Sequence, residues 1–436
     1  MDWIIKNRRK SKGDIMNGKI NFGIGFITGR PNVCNIINNY YKFLLEQVKE
    51  IESEVSFTFF ILYDLNYLNT KEEEFYKINS EVHEQIKIKY ITPKDVEEKN
   101  KEVMKKFNLA KTEADLLIGK GYAKARNTIL YEAVEENMDY LLFWDDDEYP
   151  LAAIRNGDEI KWIKQKNVLQ HIKNIENVDI TYGHRCGMIS PLPYVKYNKK
   201  LTEEVYKDFI DALENEVISW EKVQRMYKND SGIGFADKNI ANYTQEVEEM
   251  ENVGTENFVL GSGICLNLRH LDKIPAFYNP PGARGEDTFF SCSLGLKKAK
   301  ILRIPVYHFH DAFLKFQFLM EEKYPKNLKK VESDDSSIEK RFKRTTEGWT
   351  KYKPLLCYLN DKNNYEKTIE ICREKLIKST SIVGTAFKNC DLTNLSDILE
   401  EYDQNIEEHY LEYIKVNDVW DKIKNQIKED VKVWKN

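Results

Sequence analysis

The stretch "GYAKARNTILYEAVEENMDYLLFWDDDEYP" (121–150) joins a helix-like and a strand-like pattern with no loop between them. Apolar residues recur in 121–138 at the spacing of one helix face, namely Ala125, Ile129, Ala133 and Val134. Five bulky apolar residues (140–144) follow, as in a buried strand. A helix that leads directly into an apolar strand is typical of the β-α-β units of a parallel sheet.

The part of the chain before residue 121 repeats this alternation. The stretches 20–29, 55–65 and 86–92 have the composition of strands, and 35–51 has helical apolar spacing. The sequence therefore predicts an α/β fold with a mostly parallel central sheet flanked by helices. Ligands of such sheets bind at the carboxyl ends of the strands.

Four acidic residues, Asp145, Asp146, Asp147 and Glu148, follow the apolar strand at that ligand-binding edge. If the strand continues, alternate residues share a face, and Asp145 and Asp147 point the same way. Carboxylates held close together need a proton or a divalent cation between them. Mg²⁺ and Mn²⁺ prefer oxygen ligands, and phosphate oxygens commonly complete their shell. The alternative is a solvated acidic turn that caps the next helix.

Residues 121–150 resemble the nucleotide-sugar half of GT-A fold glycosyltransferases, especially the inverting family 2 type. Those proteins carry a Gly-x-x-x-Ala-Arg-Asn helix start, a later alanine, and an apolar strand that closes on Asp-x-Asp. The matching residues are Gly121, Ala125, Arg126, Asn127, Ala133, Asp145 and Asp147. The resemblance implies a Rossmann-like GT-A domain over 18–312. It also implies metal-dependent sugar transfer from a nucleotide-diphosphate sugar to an acceptor hydroxyl, with inversion, in bacterial glycan or glycoconjugate synthesis.

The resemblance places the donor nucleotide at the ends of the first two strands. There the segment from Thr28 to Arg30 would lie near the base, and Asp64 would bind the base or the ribose. No "DDGS"-like turn follows Asp64, which departs from the family pattern. The resemblance favours a UDP-sugar, although the base is not determined.

The acidic residues after the fourth predicted strand (140–144) would bind the rest of the donor. The resemblance implies that Asp147 ligates the metal. Asp145 would contact either the ribose or, through a water molecule, the metal. Asp146 belongs to the same donor site. Arg126 faces the diphosphate, with a structural salt bridge as the alternative.

An acceptor side is expected around "GARGEDTFFSCSLGL" (282–296), which follows a glycine-bearing strand and turn (258–282). Direct displacement with inversion needs a base that takes the proton of the acceptor hydroxyl. The resemblance makes Asp287 that base, with Glu286 supporting it or binding the acceptor. The alternative is that both acids only complement the dipole of the following helix.

A histidine ligand is expected in "ILRIPVYHFHDAF" (301–313). Enzymes with the GT-A fold commonly complete the metal shell here, which points to His308 or His310, and the sequence does not separate them. Both are also compatible with core positions. The implied cofactor is Mn²⁺ or Mg²⁺, and an imidazole ligand tilts the choice toward Mn²⁺.

The remaining segments are predicted from their patterns. Residues 181–195 resemble the strand that follows the metal motif, and 196–255 reads as a helical insertion, with a mobile part at 229–239. Residues 313–436 are predicted to form an α-helical C-terminal domain, with helices at 365–377, 394–414 and 419–434.

Composition limits the partners. Acidic residues (71) nearly cancel basic ones (66), which gives no general case for nucleic acid binding. No stretch approaches the roughly 20 apolar residues of a membrane span, which still leaves room for peripheral membrane contact. The N-terminus lacks a signal-peptide pattern and the seven cysteines are scattered, so a cytoplasmic chain is expected. The basic runs 6–12 and 340–344 are predicted to be solvated rather than phosphate-binding or lipid-binding.

Two other functions remain open at this point. A nucleotidyltransferase on a similar sheet would also use paired acids, but it predicts a glycine- and lysine-rich signature near the first strand, which "GFITGRPN" lacks. A non-catalytic interaction protein would leave the acids in solvent. The acceptor of a glycosyltransferase is a glycan, a lipid-linked sugar or a protein, and the sequence does not choose among them.

Overall fold

The computed structural model describes residues 18–188, 192–229, 233–242, 246–254, 257–328, 336–387 and 390–433. The strands are β1 (Ile20–Thr28), β2 (Val55–Tyr63), β3 (Lys87–Ile91), β4 (Tyr140–Trp144), β5 (Glu148–Tyr149), β6 (Leu151–Asn156), β7 (Glu159–Lys164), β8 (Ile180–Met188), β9 (Ile233–Gly234), β10 (Glu248–Glu249), β11 (Ile264–Asn267) and β12 (Ile301–Asp311). The helices are α1 (Asn32–Val48), α2 (Ser80–Gln85), α3 (Pro93–Lys106), α4 (Lys111–Leu117), α5 (Tyr122–Glu135), α6 (Asn167–Ile175), α7 (Glu203–Leu213), α8 (Trp220–Asn229), α9 (Glu286–Leu296), α10 (Ser336–Asn360), α11 (Tyr365–Gly384), α12 (Leu395–Gln404) and α13 (Ile406–Val433).

The central sheet has the strand order β10-β12-β8-β11-β4-β1-β2-β3, and β5 and β9 pair with β12 and β8. Strands β3, β2, β1 and β4 run parallel, as do β8 and β12. All five residues of β4 are buried, because helices cover both faces of a parallel sheet. The predicted α/β architecture with a mostly parallel sheet and a helical C-terminal region is confirmed at this level of detail.

The glycine-bearing stretch 258–282 forms a shorter strand than the sequence predicts. Only β11 pairs with neighbours, and it runs antiparallel to both β4 and β8. Gly263 has φ +67°, a left-handed conformation outside the extended region, so the strand cannot begin before it. Both glycines that the prediction included in the strand, Gly261 and Gly263, therefore lie in the loop before β11.

The predicted insertion 196–255 contains more than helices. Helices α7 and α8 are followed by β9, which pairs antiparallel with β8, and by β10, which pairs antiparallel with β12. The glycine-bearing part predicted to be mobile (229–239) includes residues 230–232, which lie outside the described residues. The predicted strand at 181–195 ends at Met188 in the structure, residues 189–191 also lie outside the described part, and 192–195 form no strand.

The C-terminal helices share their core with the sheet. One apolar cluster includes Phe143 on β4, Phe290 on α9, Tyr352 on α10 and Trp420 on α13. The predicted helix break at 415–418 is wrong, since α13 runs through it. The helical structure is interrupted at Asn405 instead, between α12 and α13. The apolar spacing of Val416, Val419, Trp420 and Ile423 continues one buried helix face across the expected break. The proposed domain boundary at 312/313 stays a prediction.

Two further observations concern the whole described chain. Among the described helices, none combines the length and apolar character needed to cross a membrane. All seven cysteines are free, and Cys292 alone is half-buried while the others are buried.

Candidate functional site

The acidic stretch leaves the sheet in a turn rather than as a continued strand. Strand β4 ends at Trp144, and Glu148 begins β5, which pairs antiparallel with β12. The chain must therefore reverse direction within 145–147, and the Glu148 amide donates to the Asp145 carbonyl (3.3 Å). The expectation that Asp145 and Asp147 share a strand face is wrong for this reason.

Asp146 and Asp147 are held by groups at the end of β1. The Arg30 guanidinium lies 2.8 Å from Asp146 and 3.1 Å from Asp147, and the Thr28 hydroxyl donates to Asp146. Burial raises the pKa of Asp146 to about 7, against the opposing charge of Arg30. Burial also disfavours ionised Asp147, but His310 and Arg30 outweigh it and hold the pKa of that carboxyl well below its usual range. Asp147 is therefore the carboxylate that stays ionised.

The two candidate histidines lie in different environments. His310 Nε2 is 3.7 Å from Asp147 Oδ1, and within the described residues its Nδ1, like Nε2 of His308, is buried without a hydrogen-bond partner. The His308 ring is enclosed instead. The Gly263 backbone lies so close to it that a Cβ at this position would overlap the ring, and the ring packs edge-on against Trp144 (5.1 Å between centroids). Burial lowers the pKa of His308 to about 3. The structure brings His310, and not His308, next to Asp147.

Arg126 connects the acidic turn to the predicted acceptor side. Its Nη1 donates to the Gly261 carbonyl (2.7 Å), and its guanidinium lies 3.9 Å from Asp145 and 3.6 Å from Glu286. The guanidinium also stacks over Phe143. Arg126 is almost fully buried, so its charge acts on the groups packed around it rather than on bulk solvent.

Glu286 and Asp287 open helix α9 after Gly285, which has φ +94°. Asp287 accepts hydrogen bonds from the Gly261 amide (3.2 Å) and from the Thr288 amide (3.1 Å). Burial, followed by the charge of Asp287, raises the pKa of Glu286. The loop at Gly261 thus contacts both Asp287 and Arg126, and it places the predicted base beside the acidic turn.

Arg185 on β8 is a site residue that the sequence analysis missed. Its Nε lies 3.1 Å from Glu148, and its charge also acts on Asp145, Asp287 and Asp147. These carboxylates raise the pKa of Arg185 despite its burial. An arginine in the middle of an otherwise buried strand was the available signal, because arginine is seldom buried unless it is paired.

Asp64 lies at the same sheet edge but apart from this cluster. Its amide donates to the Thr28 carbonyl (2.9 Å), and its exposed carboxylate accepts from the Asn66 amide (3.0 Å). Among the described residues, none of the other predicted site residues forms an ion pair with Asp64. The structure therefore places Asp64 beside Thr28 without giving it a partner in the acidic turn.

Asp147 and His310 are the pair that fits a cation. Within the described part of the chain, no group of three or more His, Cys, Asp or Glu side chains is arranged to hold a metal ion. One carboxylate and one imidazole, with Nε2 3.7 Å from Asp147 Oδ1, form an incomplete shell. Mg²⁺ and ions like it are commonly bound by one or two carboxylates, with phosphate oxygens and water supplying the rest. The donor set suits a cation that arrives with a diphosphate.

Comparison with known proteins adds no relative to these observations. No protein-family model matches the chain, and no curated protein matches it. The functional conclusion therefore depends on the geometry described above.

A buried glutamate beside the predicted base gives a pH-dependent prediction. Glu216, between α7 and α8, accepts a hydrogen bond from the Tyr352 hydroxyl (3.0 Å), and the Lys222 ammonium donates to its backbone carbonyl. Burial, followed by the charge of Asp287, raises the pKa of Glu216 from 4.5 to about 7. The folded protein thus holds a proton that the unfolded chain releases, so this group's stabilisation is lost as the pH rises through 7.

We expect Glu216→Gln to be more stable than the wild type at pH 8, by on the order of 2 kcal/mol, with no difference near pH 4. Urea unfolding at a series of pH values measures the difference. Because glutamine can still accept the Tyr352 hydrogen bond, packing is preserved. A stability difference that is the same at every pH would contradict the assigned pKa shift.

Proposed function

We propose that the chain is a metal-dependent glycosyltransferase of GT-A architecture that transfers a sugar from a nucleotide-diphosphate donor to an acceptor hydroxyl, with inversion. One observation carries the proposal. The pair Asp147–His310 and the acid Asp287 come from distant parts of the sequence, yet Arg126 and Arg185 interact with groups of both sides. A cation that neutralises the leaving diphosphate and a base that deprotonates the acceptor both promote direct displacement at a sugar carbon.

Each residue then has a role in the transfer. Asp287, oriented by the Gly261 and Thr288 amides, takes the proton of the acceptor hydroxyl. Asp147 and His310 would hold Mn²⁺ or Mg²⁺, and the ion would supply charge neutralisation for the departing diphosphate. Arg30 contacts both Asp146 and Asp147 and adds a fixed positive charge beside them. The acidic turn thus serves the leaving group, and Asp287 serves the nucleophile.

The burial of the acids supports an active site over an interaction surface. Asp146, Asp147 and Glu148 are only 3%, 6% and 1% exposed. A solvated acidic loop in a non-catalytic interaction protein would leave them open, and keeping several carboxylates buried is costly without a function that uses their charge. A nucleotidyltransferase is less well supported, because the loop after β1 (29–31) contains no lysine to bind a triphosphate.

A thermal-shift screen tests the proposal. UDP-, GDP-, CMP- and dTDP-sugars are added to the full chain with Mn²⁺, with Mg²⁺ and with EDTA. We expect at least one diphosphate sugar to raise the melting temperature only when the cation is present, since saturating ligand adds on the order of 3 kcal/mol. The stabilising donor is then used to assay cation-dependent donor hydrolysis. A complete absence of cation-dependent shifts would exclude the proposed donor class.

A further inference from the structure

Arg341 on α10 points toward the acidic turn rather than into solvent. Its guanidinium lies 4.8 Å from the centre of the Phe313 ring, and its Nε is buried with no hydrogen-bond partner in the described part of the chain. Its charge acts on Asp147, Arg30 and Arg284. The expectation that the basic run 340–344 is a solvated face is therefore wrong for Arg341, although Lys340 and Arg344 on the same run are exposed.

Two more arginines and two tyrosines surround Arg341. Arg344 stacks over Tyr67 (4.4 Å to the ring centre) and donates to the Tyr122 hydroxyl (3.2 Å). Arg284 lies 5.9 Å from the centre of the Tyr122 ring. Both tyrosines are more than a third exposed, so the cluster opens to solvent. We name Arg284, Arg341, Arg344, Tyr67 and Tyr122 the arginine–tyrosine cluster.

The three arginines of this cluster lack the carboxylates that the other cleft arginines have. Within the described residues, no Asp or Glu forms an ion pair with Arg284, Arg341 or Arg344, whereas Arg30 and Arg185 are both paired. Burial, together with the positive charges of Arg284 and Arg30, lowers the pKa of Arg341 to about 10. Like charges gathered on one side of a cleft repel one another, and an anion between them removes that cost.

The position of the cluster decides which anion. Tyr67 packs against Gly29 at the donor end of the cleft, and Arg284 directly precedes the turn that presents Glu286 and Asp287. A divalent cation on Asp147 and the donor diphosphate largely neutralise each other, so the donor adds no negative charge for these three arginines. Asp147 acts on Arg341 and Glu286 on Arg284 from beyond ion-pair distance. A second anionic group therefore has to come from the other substrate.

We propose that Arg284, Arg341 and Arg344 bind a phosphate group carried by the acceptor. Guanidinium groups match the geometry of phosphate oxygens and form paired hydrogen bonds with them. The phosphate is part of a lipid head group or of a soluble sugar phosphate, and the chemistry of recognition is the same. The anion site itself stands on the arginines alone, while its assignment to the acceptor rests on the proposed glycosyltransferase function.

Calorimetric titration of the full chain with inorganic pyrophosphate, in EDTA, tests the anion site. We expect the double variant R341Q/R344Q to bind pyrophosphate at least tenfold more weakly than wild type. The single variant Arg344→Gln, at an exposed position, is expected to bind it at least threefold more weakly. Lys340→Gln removes the same charge from the same helix and is expected to bind like wild type. Equal affinities for all four proteins, or an equal loss in Lys340→Gln, would overturn the site.

Transfer assays then separate the acceptor assignment from the function. With the donor identified by the screen, R341Q/R344Q is expected to keep the donor Kd and raise the acceptor KM at least tenfold. Two competitors distinguish a lipid head group from a soluble sugar phosphate. One is phosphatidylcholine vesicles that contain an alkyl phosphate, and the other is a soluble sugar 1-phosphate. Inhibition of transfer by either supports the proposal. A weakened donor Kd with unchanged acceptor KM would overturn the acceptor assignment. If no donor is found but pyrophosphate binding depends on the arginines, the glycosyltransferase proposal fails and the anion site remains.

Discussion

Replacing Asp147 by alanine is expected to abolish cation-dependent binding of the nucleotide-diphosphate donor. Asp147 is the acid whose pKa is held below its usual range, and it is the carboxylate next to His310. Without it the cation keeps a single protein ligand, and we expect the donor Kd in Mn²⁺ to rise at least ~100-fold, which corresponds to about 3 kcal/mol. Thermal shift and calorimetry with the donor from the screen measure this.

Two further variants make the result specific to the carboxylate. Asp147→Asn keeps the size of the side chain and is expected to lose donor binding as well, while Arg30 keeps its ion pair with Asp146 and the fold is preserved. Asp158→Asn removes an exposed acid in the turn between β6 and β7 and is expected to leave donor binding unchanged. If Asp147→Asn retained the full Mn²⁺-dependent shift, Asp147 would not be a ligand.

The sequence predicted those features of the site that depend on local pattern. A run of apolar residues before Asp145 marks β4, and a glycine before Glu286 marks the start of α9, because strand and helix ends have local signals. Parallel strands bring their carboxyl ends to one edge, which predicted the position of Asp145, while Thr28 and Asp64 were placed at the same site by the family resemblance. The turn at 145–147 was missed because it depends on pairing between β5 and β12.

The choice between His308 and His310 required the three-dimensional structure. Strand β12 pairs with β8 in a register that shifts between Arg303 and Tyr307. An irregularity of this kind changes which side chains face a given neighbour, and nothing in "IPVYHFH" marks it. The enclosure of His308 by Gly263 likewise depends on a loop that is distant in sequence.

The cleft arginines were the least predictable part. Arg185 comes from β8 and Arg341 from α10, and each reaches the acidic turn only through packing between distant elements. In the sequence, Arg341 belongs to a charged run of a kind that is usually a solvated helix face. Its inward orientation follows from packing against Phe313 and from the buried position of its neighbour Phe342, which fix the rotation of α10.

Replacing Asp287 by asparagine is expected to leave donor binding intact and to lower transfer by about 10²–10⁴-fold, the range that a general base contributes. Asparagine keeps the shape of the side chain but cannot accept the proton of the acceptor hydroxyl. Asp287 lies beside Gly261 rather than beside Asp147, so the donor Kd should not change. Single-turnover transfer and donor calorimetry on the same protein separate the two quantities.

The Asp287→Asn result also tests the alternative that this acid only complements the dipole of α9. Asparagine can accept only one of the two amide hydrogen bonds at this position, so a purely structural role predicts a loss of about 1 kcal/mol in stability with transfer retained. If Asp287 is the catalytic base, the variant is expected to show only a small change in melting temperature and a large loss of kcat. Asp158→Asn again serves as the control for the loss of one negative charge. Normal transfer by Asp287→Asn would remove Asp287 from the mechanism, and Glu286, 3.6 Å from Arg126, would then be the next acid to replace.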